Sequence, residues 1–392
     1  MGKATFTETS VLSAARAVDG LDNFGDPAFL EPLRALLAAY REAPVNDFGA
    51  SLLHGGLVRS LANRARVEYW FAEYPAIAEE EIASPVVVVG MMRSGTTLMQ
   101  RLLACDPEHA CTLGWEAMEP APRLGTDPTV VTDPDPRIAV AETREEQART
   151  YTPELFAIHP SYAHQAEEEI MFMADAFLSH VPESYCDLPS YREWINDQDF
   201  VPAYRHLYRT LQLLQWQKRH RGETCRRWVL KTPAHLGYLP ELFDQFPGAH
   251  VVQMHRNPVA TIASGASLNS VLWGLHSDSV DKHRVGRLWL GRMAWSNSRA
   301  LAARAEGRVP EDRIIDVQFV DLVDDPSGSV QHVYHALGLE TSQRARDAMV
   351  AWLAEDQQAQ LPTHRYRLED FGLTAAEVED AFSGYIARFH NP

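Results

Sequence analysis

A chain of 392 residues with 45% hydrophobic content is long enough for one large domain with appendages or for two domains. Its formal charge of −17 argues against a general nucleic-acid binder, which needs a net basic face, so an anionic ligand must be met by a few local cations or backbone N–H groups. The four cysteines, Cys105, Cys111, Cys186 and Cys225, form no CxxC pair and join no His cluster at metal-ligand spacing, which points to reduced thiols and no bound metal.

The opening Met1-Gly2-Lys3-Ala4-Thr5-Phe6 has no apolar stretch of signal length, and Phe6 stands where a myristoylation motif needs Ser or Thr. The longest apolar run, Val86 to Met92 broken by Gly90, is too short to cross a bilayer, so a cytoplasmic protein without membrane insertion is expected. Residues from about 10 to 83 read as helices, because Phe29-Leu30, Leu33 and Leu36-Leu37, then Leu52-Leu53, Leu57 and Leu61, recur at helical spacing. The expected division is a helical N-terminal extension over 1–83 and an α/β domain over 84–392.

At Ser84-Pro85 the character changes. Val86 to Val89 is a β-branched run suited to a strand buried on both faces, and Leu98, Met99, Leu102 and Leu103 follow at helical spacing. A second such passage runs from the strand at Trp228-Val229-Leu230 through a helix carrying Leu236, Leu239, Leu242, Phe243 and Phe246 to the strand His250 to His255. Another helix starts after Pro258, and a further strand, Arg313 to Phe319, precedes a helix near Val330 to Leu337. Strands alternating with helices predict an α/β fold with a P-loop type parallel sheet covered by helices. Residues from about 115 to 225 hold no convincing strand but several helical stretches, among them Glu167 to Leu178 and Tyr204 to Trp216; this largely helical insertion would lie over the sheet edge where ligands gather.

The stretch Gly90-Met91-Met92-Arg93-Ser94-Gly95-Thr96-Thr97 joins the first strand to its helix, where loop N–H groups and the helix N-terminus form an anion site. It has the two glycines of GxxxxGK[ST] at the right separation, but Thr96 stands where the Lys of nucleoside triphosphatases belongs, and the long cation is Arg93 inside the loop. Such a loop holds a phosphate without being arranged for ATP. A plain strand-to-helix turn is the bland alternative.

Arg93-Ser94-Gly95-Thr96-Thr97-Leu98 resembles the 5′-phosphosulfate loop of sulfotransferases that use 3′-phosphoadenosine 5′-phosphosulfate (PAPS), in the form found in tyrosylprotein sulfotransferases and many bacterial small-molecule enzymes. The resemblance implies that Arg93, the N–H groups of Ser94 and Gly95 and the hydroxyls of Thr96 and Thr97 hold the phosphosulfate. Arg256 ends the His250 strand and Ser264 follows eight residues later, which resembles the family's 3′-phosphate motif. Lys231 ends the Trp228 strand and by the same resemblance would neutralise charge on the leaving oxygen, with Arg93 assisting. Arg365, in His364-Arg365-Tyr366, falls where the bacterial branch closes over the nucleotide, and the resemblance makes it a second 3′-phosphate ligand. Phe319 departs from the Tyr the family usually has in this position, which puts a Tyr-based adenine contact in doubt.

The acceptor hydroxyl needs a proton acceptor, for which the family uses His or Glu. Glu116, in Gly114-Trp115-Glu116, follows the loop helix at nearly the distance of the catalytic Glu in tyrosylprotein sulfotransferases and is the expected base. His159, His164 and Glu168 are the rivals and expected acceptor-binding residues; most of the Glu167-Glu168-Glu169 run is expected to be a solvated helix face. The expected reaction is sulfuryl transfer from PAPS, leaving 3′-phosphoadenosine 5′-phosphate (PAP), to a hydroxyl of a small-molecule alcohol or phenol, without a metal. A nucleotide-dependent kinase on the same fold would need Mg²⁺ and the missing Lys. A non-catalytic nucleotide binder would need neither Glu116 nor Lys231. The sequence leaves the oligomeric state open, a homo-oligomer included.

Overall fold

Val86 to Val89 are each wholly buried, and their alternation shows why: Val87 and Val89 pack into the core formed with the N-terminal helices, while Val86 and Val88 pack into the core on the opposite face. A strand whose side chains enter two apolar cores has no polar position to offer, and each such valine contributes about 1.5–3 kcal/mol. This strand, β1 (Val86–Gly90), is the middle of a five-stranded sheet in the computed structural model, which describes residues 6–130, 134–358 and 366–390. The order is β2-β3-β1-β4-β5, with β2 His109–Cys111, β3 Arg227–Lys231, β4 His250–His255 and β5 Ile314–Gln318. All four pairings are parallel.

The register brings Val88 opposite Lys231 and Gly90 opposite Met254, so the ends of β1, β3 and β4 open on one sheet edge. Strand β2 escapes the sequence reading because its three residues include no β-branched side chain; pairing along β3 alone makes it a strand.

Helices α1 (Glu8–Asp19), α2 (Leu30–Glu42) and α3 (Asp47–Glu73) precede the sheet. Helix α4 (Thr96–Ala104) follows β1, and α5 (Gly114–Met118), α6 (Pro136–Tyr151), α7 (Pro153–Ile158), α8 (Ile170–Asp175), α9 (Pro189–Asn196) and α10 (Val201–His220) lie between β2 and β3. Beyond β3 come α11 (Leu239–Gln245), α12 (Pro258–His276) and α13 (Lys282–Ala305), and after β5, α14 (Phe319–Asp324), α15 (Pro326–Ala336), α16 (Gln343–Gln358), α17 (Ala375–Ala381) and α18 (Ser383–Phe389). Among the described residues no helix is long and apolar enough to cross a membrane.

Helix α8 is shorter than its apolar pattern predicts and begins only at Ile170, so Glu167, Glu168 and Glu169 are its approach rather than its face. It is fixed from α3: Asn63 Nδ2 donates to Asp175 Oδ2 at 3.1 Å, and the buried Arg64 donates to the Asp175 carbonyl. Burial raises the Asp175 pKa to about 6. The N-terminal helices thereby hold the end of the segment that carries the three glutamates.

Candidate active site

The loop between β1 and α4 turns on two glycines. Gly95 caps α4 at φ 92°, and a Cβ there would stand 2.9 Å from the Phe319 ring; at Gly90 one would stand 2.7 Å from Ser94 Oγ. Both positions therefore require glycine, the first for its left-handed backbone and both for close approach. Ser94 closes the turn, its N–H and hydroxyl both bonding the Met91 carbonyl, and the first N–H groups of α4 are left without intrahelical partners.

Cations from three strand ends converge on this loop. Arg93 Nε donates to Ser264 Oγ at 3.1 Å and its Nη1 to the Ile158 carbonyl at 3.1 Å. Arg256 Nη1 donates to the Arg93 carbonyl at 2.6 Å, and its guanidinium stacks on Phe319, 3.9 Å from the ring centre. Burial, with the Arg93 charge nearby, lowers the Arg256 pKa. Among the described residues neither arginine has a carboxylate partner. Lys231, 1% exposed, places Nζ 2.5 Å from Glu168 Oε1 and 3.3 Å from Thr97 Oγ1. A cavity of about 220 Å³ is bounded by Arg93, Gly95, Thr96, Thr97, Arg256 and Phe319. Arg365 lies outside the described residues.

The three glutamates are placed one by one, and none forms the expected solvated face. Gln100 on α4 holds the Glu167 carbonyl at 3.0 Å. Glu169 is wholly buried: Oε2 accepts from the Lys231 N–H at 2.9 Å and Oε1 meets His235 Nε2 at 2.8 Å, while His235 Nδ1 meets the Tyr204 hydroxyl at 2.7 Å. Between these two, Glu168 Oε1 meets the Lys231 ammonium.

Glu116 requires a correction. Its side chain is wholly buried and bonds Lys218 at 2.9 Å, Arg221 at 2.8 Å and the Leu113 N–H at 3.0 Å. Burial would raise its pKa, but those two cations hold it below the usual carboxylate value. This carboxylate is engaged by two cations and a helix cap and lines neither of the two cavities of the cleft. His164 is also not brought to the cleft: it is exposed and meets Glu142 at 2.8 Å. His159 and Glu168 do line it.

A second cavity, of about 270 Å³, adjoins the first and shares Met92, His159, Glu168, Pro233 and Leu268 with it. Its apolar wall comes from α12 and α13, through Leu272, Trp273, Val285, Leu288, Trp289 and Met293. Of the aromatics in the segment between β2 and β3, Tyr185 alone lines it, while Phe172 and Phe177 are core. The α13 contribution had a signal: Val285, Trp289, Arg292, Met293 and Ser296 recur at one-face spacing.

This pair of joined cavities, one cationic over a phosphate loop and one apolar, fits transfer between an anionic donor and a less polar acceptor. Comparisons with known proteins agree. The profile described as Sulfotransferase family matches residues 85–343. The chain is similar to the omega-hydroxy-beta-dihydromenaquinone-9 sulfotransferase Stf3 of Mycobacterium bovis and Mycobacterium tuberculosis, at 24% identity over 74% of this chain and 72% of the relative. The solved structure of the sulfotransferase STF1 of Mycobacterium tuberculosis matches with a TM-score of 0.84 and 30% identity, covering 97% of this chain and 100% of that one. STF9 of Mycobacterium avium shares the fold, with a TM-score of 0.86 and 24% identity over 99% and 97% of the two chains. The kinase and the non-catalytic binder fall away, and the phosphate loop, its converging cations and the sequence match lead to one conclusion: the chain is an enzyme of the sulfotransferase family.

Proposed function

We propose that the enzyme uses PAPS as its sulfuryl donor, with Glu168 as the proton acceptor in place of Glu116. The observation that carries this reading is the pair of guanidinium groups, Arg93 and Arg256, that meet over the phosphate loop with no carboxylate partner among the described residues, in a chain of charge −17. The residues fit the donor: the N–H groups of the loop, with Thr96 and Thr97, suit a 5′-phosphosulfate, and Arg256, which lines the same cavity beside the Arg93 that Ser264 holds, suits a second phosphate that ATP lacks. When bound, PAPS supplies an activated sulfuryl group, its bond from sulfur to the phosphate oxygen breaking as the acceptor oxygen takes the sulfur.

The chain's own residues do the rest. Glu168 lines both cavities and therefore stands where an acceptor hydroxyl meets the donor side; its carboxylate takes the hydroxyl proton. Lys231, between Glu168 and Thr97, offsets negative charge on the loop side as it develops, with Arg93 beside it. The Glu169–His235–Tyr204 chain keeps the end of β3, and with it the Lys231 ammonium, in place. The apolar second cavity suits the body of an alcohol or phenol.

Calorimetry with PAP and ATP in metal-free buffer tests the donor. PAP is expected to bind much more tightly, because ATP has nothing to offer Arg256 and Ser264. Equal affinities would remove PAPS as the donor.

A further inference from the structure

The acceptor cavity has one charged wall that neither the loop nor the proton path uses. Glu183 accepts from Arg292 Nη2 at 2.7 Å, pairs with Arg192 and lies 2.9 Å from His180 Nδ1. Arg292 Nη1 donates to Asn196 Oδ1 at 2.6 Å, Arg192 Nη1 donates to the Leu288 carbonyl at 3.0 Å, and the neighbouring Arg284 pairs with Asp187 at 2.7 Å. The groups acting on Arg192 are thus Glu183, Arg292, Asp187 and Arg284.

At Glu183 two guanidinium groups, Arg192 and Arg292, share one carboxylate, whereas Arg284 has both Asp187 and Asp281 acting on it, so the Arg192–Arg292 pair brings one positive charge more than Glu183 offsets, inside an acidic protein. His180 does not change the balance, since burial lowers its pKa and favours the neutral ring. Burial would raise the Glu183 pKa, yet its His180 and arginine partners hold it at about 2, so it stays ionised and its charge is already spent.

Location turns this excess into a recognition element. Arg192, Arg292 and Glu183 line the acceptor cavity and not the loop cavity, whereas Glu168 lines both. Arg292 is 5% exposed, but the Arg192 side chain keeps 21% of its surface open. Glu168 and Arg192 line the same cavity as Leu272, Trp273, Val285, Leu288 and Trp289, so a ligand spanning it meets a proton acceptor, apolar side chains and a cation that shares its carboxylate, Glu183, with Arg292. Excess charge facing an apolar cavity is costly unless an opposite charge enters with the ligand.

We propose that the acceptor is an amphipathic hydroxy acid: an apolar body whose hydroxyl sits at Glu168 and whose second, anionic group pairs with Arg192. This rests on the sulfotransferase reading of the cleft and specifies its acceptor class.

The test is calorimetric titration of a graded series of long-chain hydroxy acids, each beside its methyl ester, into the protein saturated with PAP. The acids are expected to bind about tenfold or more tightly than their esters, as befits a hydrogen bond to a charged group. Arg192→Met should bring acids down to the affinity of the esters, while Arg192→Lys should keep part of the preference. Esters that match their acids, a preference that Arg192→Met leaves intact, or the failure of every compound in the series to bind would each overturn the proposal. The PAP titration of the same samples reports separately on the nucleotide reading and on the folding of each variant.

Discussion

The two cavities of the cleft are built in opposite ways. The loop cavity takes Met92, Arg93, Gly95, Thr96 and Thr97 from one short stretch that ends in the N-terminal turn of α4, with Arg256 added at the neighbouring strand end. The acceptor cavity is assembled from side chains in separated segments: the approach to α8, the turn at 181–184, α9, α12 and α13. Anion recognition by backbone is local, because a strand, two glycines and a helix start create it whatever surrounds them. Recognition of an apolar molecule needs a wall of side chains, and only packing between distant helices supplies one. The first kind of site is therefore shared across a family by motif, whereas the second is free to differ among members with the same fold.

Substitutions that act on one region, on both, or on neither test this contrast. The largest effect is expected at the junction. Glu168→Gln preserves size and both binding surfaces, so turnover should fall roughly 10²–10⁴-fold, the contribution of a positioned base, while PAP affinity persists. Steady-state rates by mass spectrometry of the sulfated product, alongside PAP calorimetry, check this. Near-normal turnover would transfer the role to His159, the other titratable side chain common to both cavities.

Glu116→Gln should act on neither cavity and on stability instead. It leaves Lys218 buried and short of its main partner, a loss of about 3–5 kcal/mol for breaking a buried pair. Urea denaturation reads that loss, and turnover per folded molecule should stay close to that of the parent protein. A stable variant with collapsed turnover would restore Glu116 to the chemistry.

The smallest effect belongs to the loop cavity alone. Arg256→Ala should weaken PAP binding by about 1.5–3 kcal/mol, the value of a hydrogen bond to a charged group. Acceptor binding should not change. Undiminished PAP affinity in a folded variant would separate Arg256 from the 3′-phosphate and break the division of labour between the cavities.

Sequence reasoning placed the loop, Arg256 and Lys231 together at one sheet edge because each follows a strand that its own composition announces, and parallel strands share a carboxyl edge. It made Glu116 the expected base, and the structure buries that side chain in an ion pair for a physical reason. Glu116 and Glu168 are both carboxylates near aromatic and apolar residues, and chain position does not reveal which one meets buried cations. Lys218 and Arg221 lie more than a hundred residues from Glu116 along the chain, and their approach turns it into a structural ion pair. The Glu167–Glu169 run misled in the same way, since helical periodicity assigned it to a solvated face while tertiary contacts ended α8 at Ile170 and buried Glu169.

The sequence by itself determined that Val86 to Val89 would be a doubly buried strand, that Gly90 and Gly95 would bend a phosphate loop, and that cations would stand at the ends of β3 and β4. These are consequences of local sterics and of the covalent order of strand, turn and helix. Only the tertiary structure decided that Glu168 and not Glu116 lines both cavities, that α12 and α13 form the apolar wall of the second one, and that Arg192 and Arg292 share a single carboxylate there. Those outcomes depend on which side chains share a dielectric environment and which partners reach them first, and both are set by packing between segments remote in the chain.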